Sequence, residues 1–544
     1  MGKRQKIKKK LKKKIPSQAP RAGVTDAEVK ACFSFLHDGF AHKAEKSALK
    51  LVDRYPADKV SWLTAGSILL EIGKTSQALR AFKRAVSIDD KDPETHIKVG
   101  LAYLDLDFFR EAEDSLSRAN ELSPHSALIN YHLAIVRQHM NLPDLAEENY
   151  RAAIASAPNF AQAHNNLGGL LEKTNRLEEA EEQYRRAILI DGRYALAHSN
   201  LGTHFMAKGD YAKALKYFDN SAELLRVRTE SNPAPIEAFQ AISKAKVKHD
   251  IQQLEYLISV NLGEKHGELS ELVDRLRVVL KNTQWPSETA VIRLGNEHLE
   301  LLAPFYNRLI YKDLAPRIET GALNEEIKEN DITERYLEHE FGVVCIDALL
   351  SEAALRSLRE YLLRSTIWFH IKKGGYLGAH VNEGLACPLL FQIAEELRLK
   401  FPKIFKNHRL NHIWAYKYDS DAAKGESDLS GIKIHADFAA VNVNFWVTPN
   451  EANLDPSTGG LIVHHVEAPL DWDFETFNND STEIYNVIEK QGRGQSIIPY
   501  RENRAVVFNS DLFHETDCFD FRPDYQHRRI NVTMLFGDRQ HQSG

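Results

Sequence analysis

The sequence predicts a multidomain protein. An all-α repeat solenoid fills the first half, and an antiparallel β sandwich or barrel with flanking helices fills the end. Three observations predict this. Alanines recur every 34 residues from 44 to 214, apolar periodicity drops toward two after about residue 340, and no apolar run of about 18 residues appears. At 544 residues the chain exceeds one typical core, so two or three domains are expected. With 43% hydrophobic against 27% charged residues, enough apolar surface is present to fold rather than stay disordered.

The first element is a basic tail, 1–24. Residues 1–21 hold ten Lys or Arg and no acid, leaving 60 basic against 76 acidic residues beyond them, a net of −16. The tail lacks the apolar core of a secretory signal and reads as a disordered, solvated segment. Contact with an anionic surface, nucleic acid or the nuclear import machinery are the sharper readings, but nothing else in the chain supports nucleic-acid chemistry. Cys32, Cys345, Cys387 and Cys518 are scattered without metal or disulfide spacing. Reduced thiols and a cytoplasmic location are expected, or a nuclear one in a eukaryote.

The second element keeps time. Ala44, Ala78, Ala112, Ala146, Ala180 and Ala214 lie 34 residues apart. Gly66, Gly100, Ala134, Gly168 and Gly202 share one slot; Phe82, Tyr150, Tyr184 and Phe218 share another; Pro56, Pro124 and Pro158 share a third. Small residues let two helices approach, an aromatic fills the gap against the next helix, and proline closes the unit. This pattern resembles the tetratricopeptide repeat, six units over 25–228. Its ends depart from the pattern, with Cys32 and Ala48 in the first unit and Ser221 in the sixth, as terminal units facing water do. The resemblance implies a concave groove for a protein or peptide partner; a scaffold that only assembles or packs is the plainer reading.

Residues 229–335 are predicted as a helical cap and linker. "SNPAP" at 231–235 breaks the chain, and Leu269, Leu272, Val273, Leu276 and Leu280 form one apolar stripe.

The last element, 336–544, changes period. "FGVVCI" opens it, followed by the helix "SEAALRSLREYLLRS" capped by Ser351. Short strand-like runs come next: "IWAYKY", "AAVNVNFWV", "GGLIVHHV", "RAVVFN" and "RRINVTMLF". In "IKIHADFAAVNVNFW" (432–446), His435 and Asp437 are two apart, so on a strand both leave one face. His514 follows 77 residues past Asp437, after a buried-looking strand. Two imidazoles and a carboxylate on one face of an octahedron suit non-haem Fe(II), with positions left for a co-substrate and dioxygen. A cation for a co-substrate carboxylate is offered fifteen residues further on. Ile530, Val532, Met534 and Phe536 form the apolar face of that strand, whereas Arg529 shares the polar parity with Asn531 and Thr533. Arg529, not Arg528, is therefore the predicted grip.

The H-A-D triplet, His514 and the R-x-N at 529–531 resemble the iron- and 2-oxoglutarate-dependent dioxygenases over about 340–540. The resemblance implies a double-stranded β-helix, or jelly roll, and Fe(II) held by His435, Asp437 and His514. It also implies 2-oxoglutarate and O2 as co-substrates, with Arg529 on the far carboxylate, and release of succinate and carbon dioxide during hydroxylation. Asn531 stands where the family commonly has serine or threonine and still offers a hydrogen bond beside the co-substrate. "WAYKYD" is similar to the strand whose tyrosine touches the co-substrate, so Tyr418, or Tyr416 of the same parity, takes that part. Asn442 and Asn444 are placed in the pocket.

A rival dyad, His465-Val466-Glu467, would leave the first triplet without a task. His464, His465 and His527 are read as polar or substrate-facing residues. "GKT" at 73–75 lacks the rest of a phosphate loop. The expected function is a hydroxylase whose solenoid recruits a protein or peptide. The alternatives are a scaffold with a degenerate barrel, and a dioxygenase acting on a small molecule or glycan.

Overall fold

A computed structural model describes residues 23–227, 241–260, 266–302, 305–372, 374–405, 408–424 and 431–539. The basic tail through residue 22 and the "SNPAP" break lie outside the described residues. The chain divides into two compact units, 1–190 and 191–544.

The first unit is five helical hairpins: Asp26–His37 with Ala41–Arg54, Lys59–Glu71 with Thr75–Ile88, Pro93–Leu104 with Phe109–Leu122, Ala127–His139 with Pro143–Ser156, and Ala161–Lys173 with Leu177–Ile190. Every clock alanine here is fully buried. The glycine slot explains the close approach. A methyl group on Gly66 would lie 2.4 Å from the Phe82 ring, and one on Gly168 2.7 Å from Tyr184. The aromatic thus packs on the first helix of its own hairpin, and Phe82 also shares a core with Val99 and Ala102 of the next repeat. In the third repeat, which lacks the aromatic, Leu116 fills the same space above Gly100.

A second period escapes a reading by residue type. Gly39, Gly73, Asp107, Asn141, Asn175 and Gly209, again 34 apart, all have positive φ and turn the chain between the helices of each hairpin. Glycine reaches this left-handed conformation freely, and Asn and Asp tolerate it best among the rest.

The second unit begins with a sixth hairpin, Ala195–Lys208 with Tyr211–Arg226. Next comes a helix pair, Lys244–Ser259 and His266–Asn282, whose core includes the predicted Leu269, Leu272, Val273 and Leu276; Leu280 sits at its margin. Twelve strands are described: β1 Ala241–Ile242, β2 Ile292–Arg293, β3 Val343–Ile346, β4 His370–Lys372, β5 Tyr376–His380, β6 Leu410–Tyr418, β7 Val441–Trp446, β8 Leu461–Glu467, β9 Gln495–Ile498, β10 Ala505–Asn509, β11 Leu512–Thr516 and β12 Ile530–Phe536. Ten of them form two antiparallel sheets, one ordered β3-β10-β7-β12-β6-β5-β4 and the other β11-β8-β9.

The two sheets share a core. Val343, Trp446, Val506 and Phe508 of the larger meet Leu461, Val463, Ile498 and Leu512 of the smaller. All seven residues of β12 are buried, so its two faces meet different surroundings, as the alternation requires. Ser351 caps Glu352–Arg364 by accepting from the Ala354 N–H at 3.3 Å. The sixth hairpin packs directly on the rest of its own unit. The Tyr211 ring stacks on Phe391 at 5.2 Å, and Arg226 reaches Glu383 with its Nε at 2.8 Å.

Candidate metal centre

Across β6, β7 and β12 the inner face of the larger sheet carries a polar stretch, beside the apolar Val506 and Phe508 of β10. Cross-strand register aligns Asn444 with Thr533, Asn531 with Tyr416 and with Trp446, and Gly378 with Tyr416. Alternation in β6, β7 and β12 sends these side chains to one side and Val443, Phe445, Val532 and Met534 to the other.

His435, Asp437 and His514 converge at the rim of this wall. One ligand atom from each lies within 4.8 Å of the others, the single such group among the described residues. The segment carrying His435 pairs backbone to backbone with β11, His435 N–H to the His514 carbonyl at 3.0 Å and the reverse at 2.8 Å. Asp437 Oδ1 is 3.7 Å from His435 Nε2, and its Oδ2 is 3.4 Å from His514 Nε2. Both Nδ1 atoms face carbonyl oxygens, Lys433 at 2.8 Å and Leu512 at 3.0 Å. A carbonyl only accepts, so each Nδ1 carries the proton and each Nε2 offers its lone pair to the centre. Asn442 Nδ2 donates to Asp437 Oδ2 at 2.6 Å, orienting the carboxylate from β7. The helix Phe474–Asn479, in the β8–β9 connection, braces the triplet between its ligands: Ala436 N–H donates to the Phe477 carbonyl at 3.0 Å.

Electrostatics favours the metal-binding protonation states. Burial, and then the neighbouring His514, push His435 down to about 4, leaving the imidazole neutral. Burial pushes the Asp437 carboxyl up, but the facing His514 and His435 rings outweigh it and hold it below the usual range. This nitrogen, nitrogen and oxygen donor set fits a divalent first-row metal.

Arg529 lies just before β12, 2% exposed. Its Nε donates to the Gly459 carbonyl at 2.8 Å and its Nη2 to the Gly460 carbonyl at 3.1 Å, while Nη1 is buried without a partner. The guanidinium sits 4.5 Å from the Tyr418 ring centre. Arg528 points elsewhere, donating to Asp419 at 2.8 Å and to Gln252 at 2.8 Å. Asn531 joins an amide and hydroxyl network with Asn444 and Thr533, its Oδ1 unpartnered. Tyr416 lies on the same wall, opposite Asn531.

The rival dyad does not assemble. His465 Nε2 meets Ser496 Oγ at 2.8 Å, and Glu467 accepts from Asn509 at 2.7 Å. His464 is held by Glu515 and His527 by Asp524. Sequence reading missed His370 and His380 on the short strands β4 and β5, whose rings lie 4.3 Å apart. Those strands are three and five residues long and carry little alternation, and β5 is interrupted by Gly378.

Family models of the tetratricopeptide repeat match residues 60–92, 140–195 and 197–231. The helical hairpins are tetratricopeptide repeats. Among curated proteins, Drosophila melanogaster Protein O-mannosyl-transferase Tmtc3 is 34% identical over 114 residues, which is 18% of this chain and 12% of that protein. The chain therefore matches a small fraction of that relative's length. Among solved structures, MamA is 27% identical over 29% of this chain and 93% of its own, with a TM-score of 0.27. YrrB, described as a tetratricopeptide protein with an unusual peptide-binding site, is 21% identical over 32% of this chain and 91% of its own, with a TM-score of 0.28. Tetratricopeptide repeats are scaffolds for protein interaction, and here they precede a sheet-rich unit.

Proposed function

We propose that the second unit is an Fe(II)- and 2-oxoglutarate-dependent dioxygenase, a hydroxylase with a double-stranded β-helix, and that the solenoid brings it a protein or peptide. The observation that carries this reading is the convergence of His435, Asp437 and His514 on one point with both Nε2 atoms aimed inward. A degenerate barrel is disfavoured because the full ligand set and its supports, Asn442 and the Lys433 and Leu512 carbonyls, are all in place.

In this reading iron, when bound, supplies the oxidative chemistry that couples decarboxylation of 2-oxoglutarate to hydroxylation of a C–H bond. The protein's part is binding, orientation and exclusion of water. His435, Asp437 and His514 hold the metal. The unpartnered Arg529 Nη1 offers a buried cationic donor to the far carboxylate, with Tyr418 packed against the guanidinium. Asn442 keeps Asp437 turned toward the centre.

The recruiting role draws support from the first helices of the repeats. Val60 and Leu128, in one slot two repeats apart, are exposed, and Leu63, Ile97 and Tyr131 in a neighbouring slot are only half-buried. Such apolar positions without full cover suit a peptide partner.

Binding of Mn(II), a redox-silent stand-in for Fe(II), tests the centre. Spin-resonance titration should give one tight site in the wild type, lost in His435→Ala. Equal affinity in both would remove the centre from these residues.

A further inference from the structure

Trp446 ends β7, fully buried and directly opposite Asn531 of β12. Its indole Nε1–H has no hydrogen-bond partner. A buried N–H left unmade is costly, and native proteins rarely keep one without a ligand or trapped water. Arg529 repeats the situation beside it. The guanidinium carbon is 5.8 Å from the Trp446 ring centre, Nη1 is unpartnered, and no acid pairs with Arg529 among the described residues. Arg529 therefore lies beside both the Tyr418 and the Trp446 rings, with its Nη1 and the Trp446 Nε1 each unspent. Two donors and a buried positive charge with no acid to answer them suit an anion with two acceptor oxygens, of which a carboxylate is the smallest.

We propose that Trp446 is a specificity-determining residue: its indole N–H and Arg529 share the distal carboxylate of a 2-oxo dicarboxylic acid. The inference rests on the dioxygenase reading and adds to it. The pocket distinguishes a dicarboxylate from a 2-oxo acid of equal length that lacks the second carboxylate. Nothing in the residue pattern marks Trp446 for this part, since an aromatic at a strand end normally packs in the core.

The test is calorimetry on the full-length, Mn(II)-loaded protein with two probes, 2-oxoglutarate and 2-oxopentanoate. Trp446→Phe keeps the ring and removes the N–H. It should weaken 2-oxoglutarate by about 5- to 30-fold while leaving 2-oxopentanoate and Mn(II) affinities unchanged. Equal weakening of both probes would make the tryptophan merely structural and overturn the proposal, as would no weakening, which would leave the N–H to a trapped water. In the unaltered protein, the Trp446 indole proton should exchange more slowly with 2-oxoglutarate bound than with 2-oxopentanoate bound. Equal exchange overturns the proposal without relying on the variant. Should the wild type bind Mn(II) but neither acid, the dioxygenase reading itself falls, an outcome distinct from selective binding that Trp446→Phe does not alter.

Discussion

Arg528 and Arg529 are adjacent, both buried, and differently engaged. Arg528 answers the buried Asp419, whereas Arg529 faces the interior with a donor unspent. Removing Arg528 strands a buried carboxylate, so Arg528→Ala should cost about 3 kcal/mol in urea unfolding and change co-substrate affinity little. Arg529→Ala removes no ion pair. It should weaken 2-oxoglutarate binding by about 2–4 kcal/mol, on the order of 30- to 1000-fold, with a smaller loss of stability. A reversed pattern would mean the strand's two faces have been exchanged. At the centre itself, Asn442→Ala should lower metal affinity by about 10- to 100-fold, because Asp437 loses its orienting donor. His465→Ala should leave it unchanged, as its ring is occupied by Ser496. These side chains were legible because a period of two separates faces without knowing the fold. Asn442 was legible only as a polar residue on the right face. That it holds Asp437 depends on the three-residue loop 438–440, whose path no pattern encodes.

The 34-residue clock revealed the helical hairpins through their small residues, yet the left-handed turn at Asp107, Asn141 and Asn175 was hidden because three residue types satisfy one backbone demand. Gly66→Ala should lower the stability of the first unit by about 1–3 kcal/mol, since the new methyl meets the Phe82 ring at 2.4 Å. The sixth hairpin and the strands that follow are joined through Glu383. Burial pushes its carboxyl up, but His370 and Arg226 prevail and hold it at about 2, against an ordinary 4.5. A depressed pKa means the stabilisation is complete above 4.5 and is lost as pH falls through 4.5 toward 2. Glu383→Gln should therefore be less stable than wild type by on the order of 2–3 kcal/mol at pH 7, and by about half that at pH 3. A gap that widens in acid would contradict the pairing. β4, β5 and β9 were not legible, being three to five residues long and poor in alternation.

Over the whole molecule, the division between units falls after Ile190, ahead of the sixth hairpin, so repeat number and structural autonomy do not coincide. Removing 1–190 should leave metal binding intact, because every residue of the proposed centre lies beyond 430. Cutting at 228 would also strip Tyr211 and Arg226 from Phe391 and Glu383 and should destabilise the remainder. Melting curves of the two truncations separate these outcomes. If the solenoid recruits substrate, the shorter truncation lowers apparent substrate affinity and leaves turnover without substrate unchanged, since tethering acts through effective concentration. The most direct measurement is oxygen-dependent release of succinate from 2-oxoglutarate by the purified full chain with Fe(II), alongside His514→Ala. Slow release by the wild type and none by the variant is the predicted result. No release from iron-loaded wild type, or equal release from both, would contradict the account.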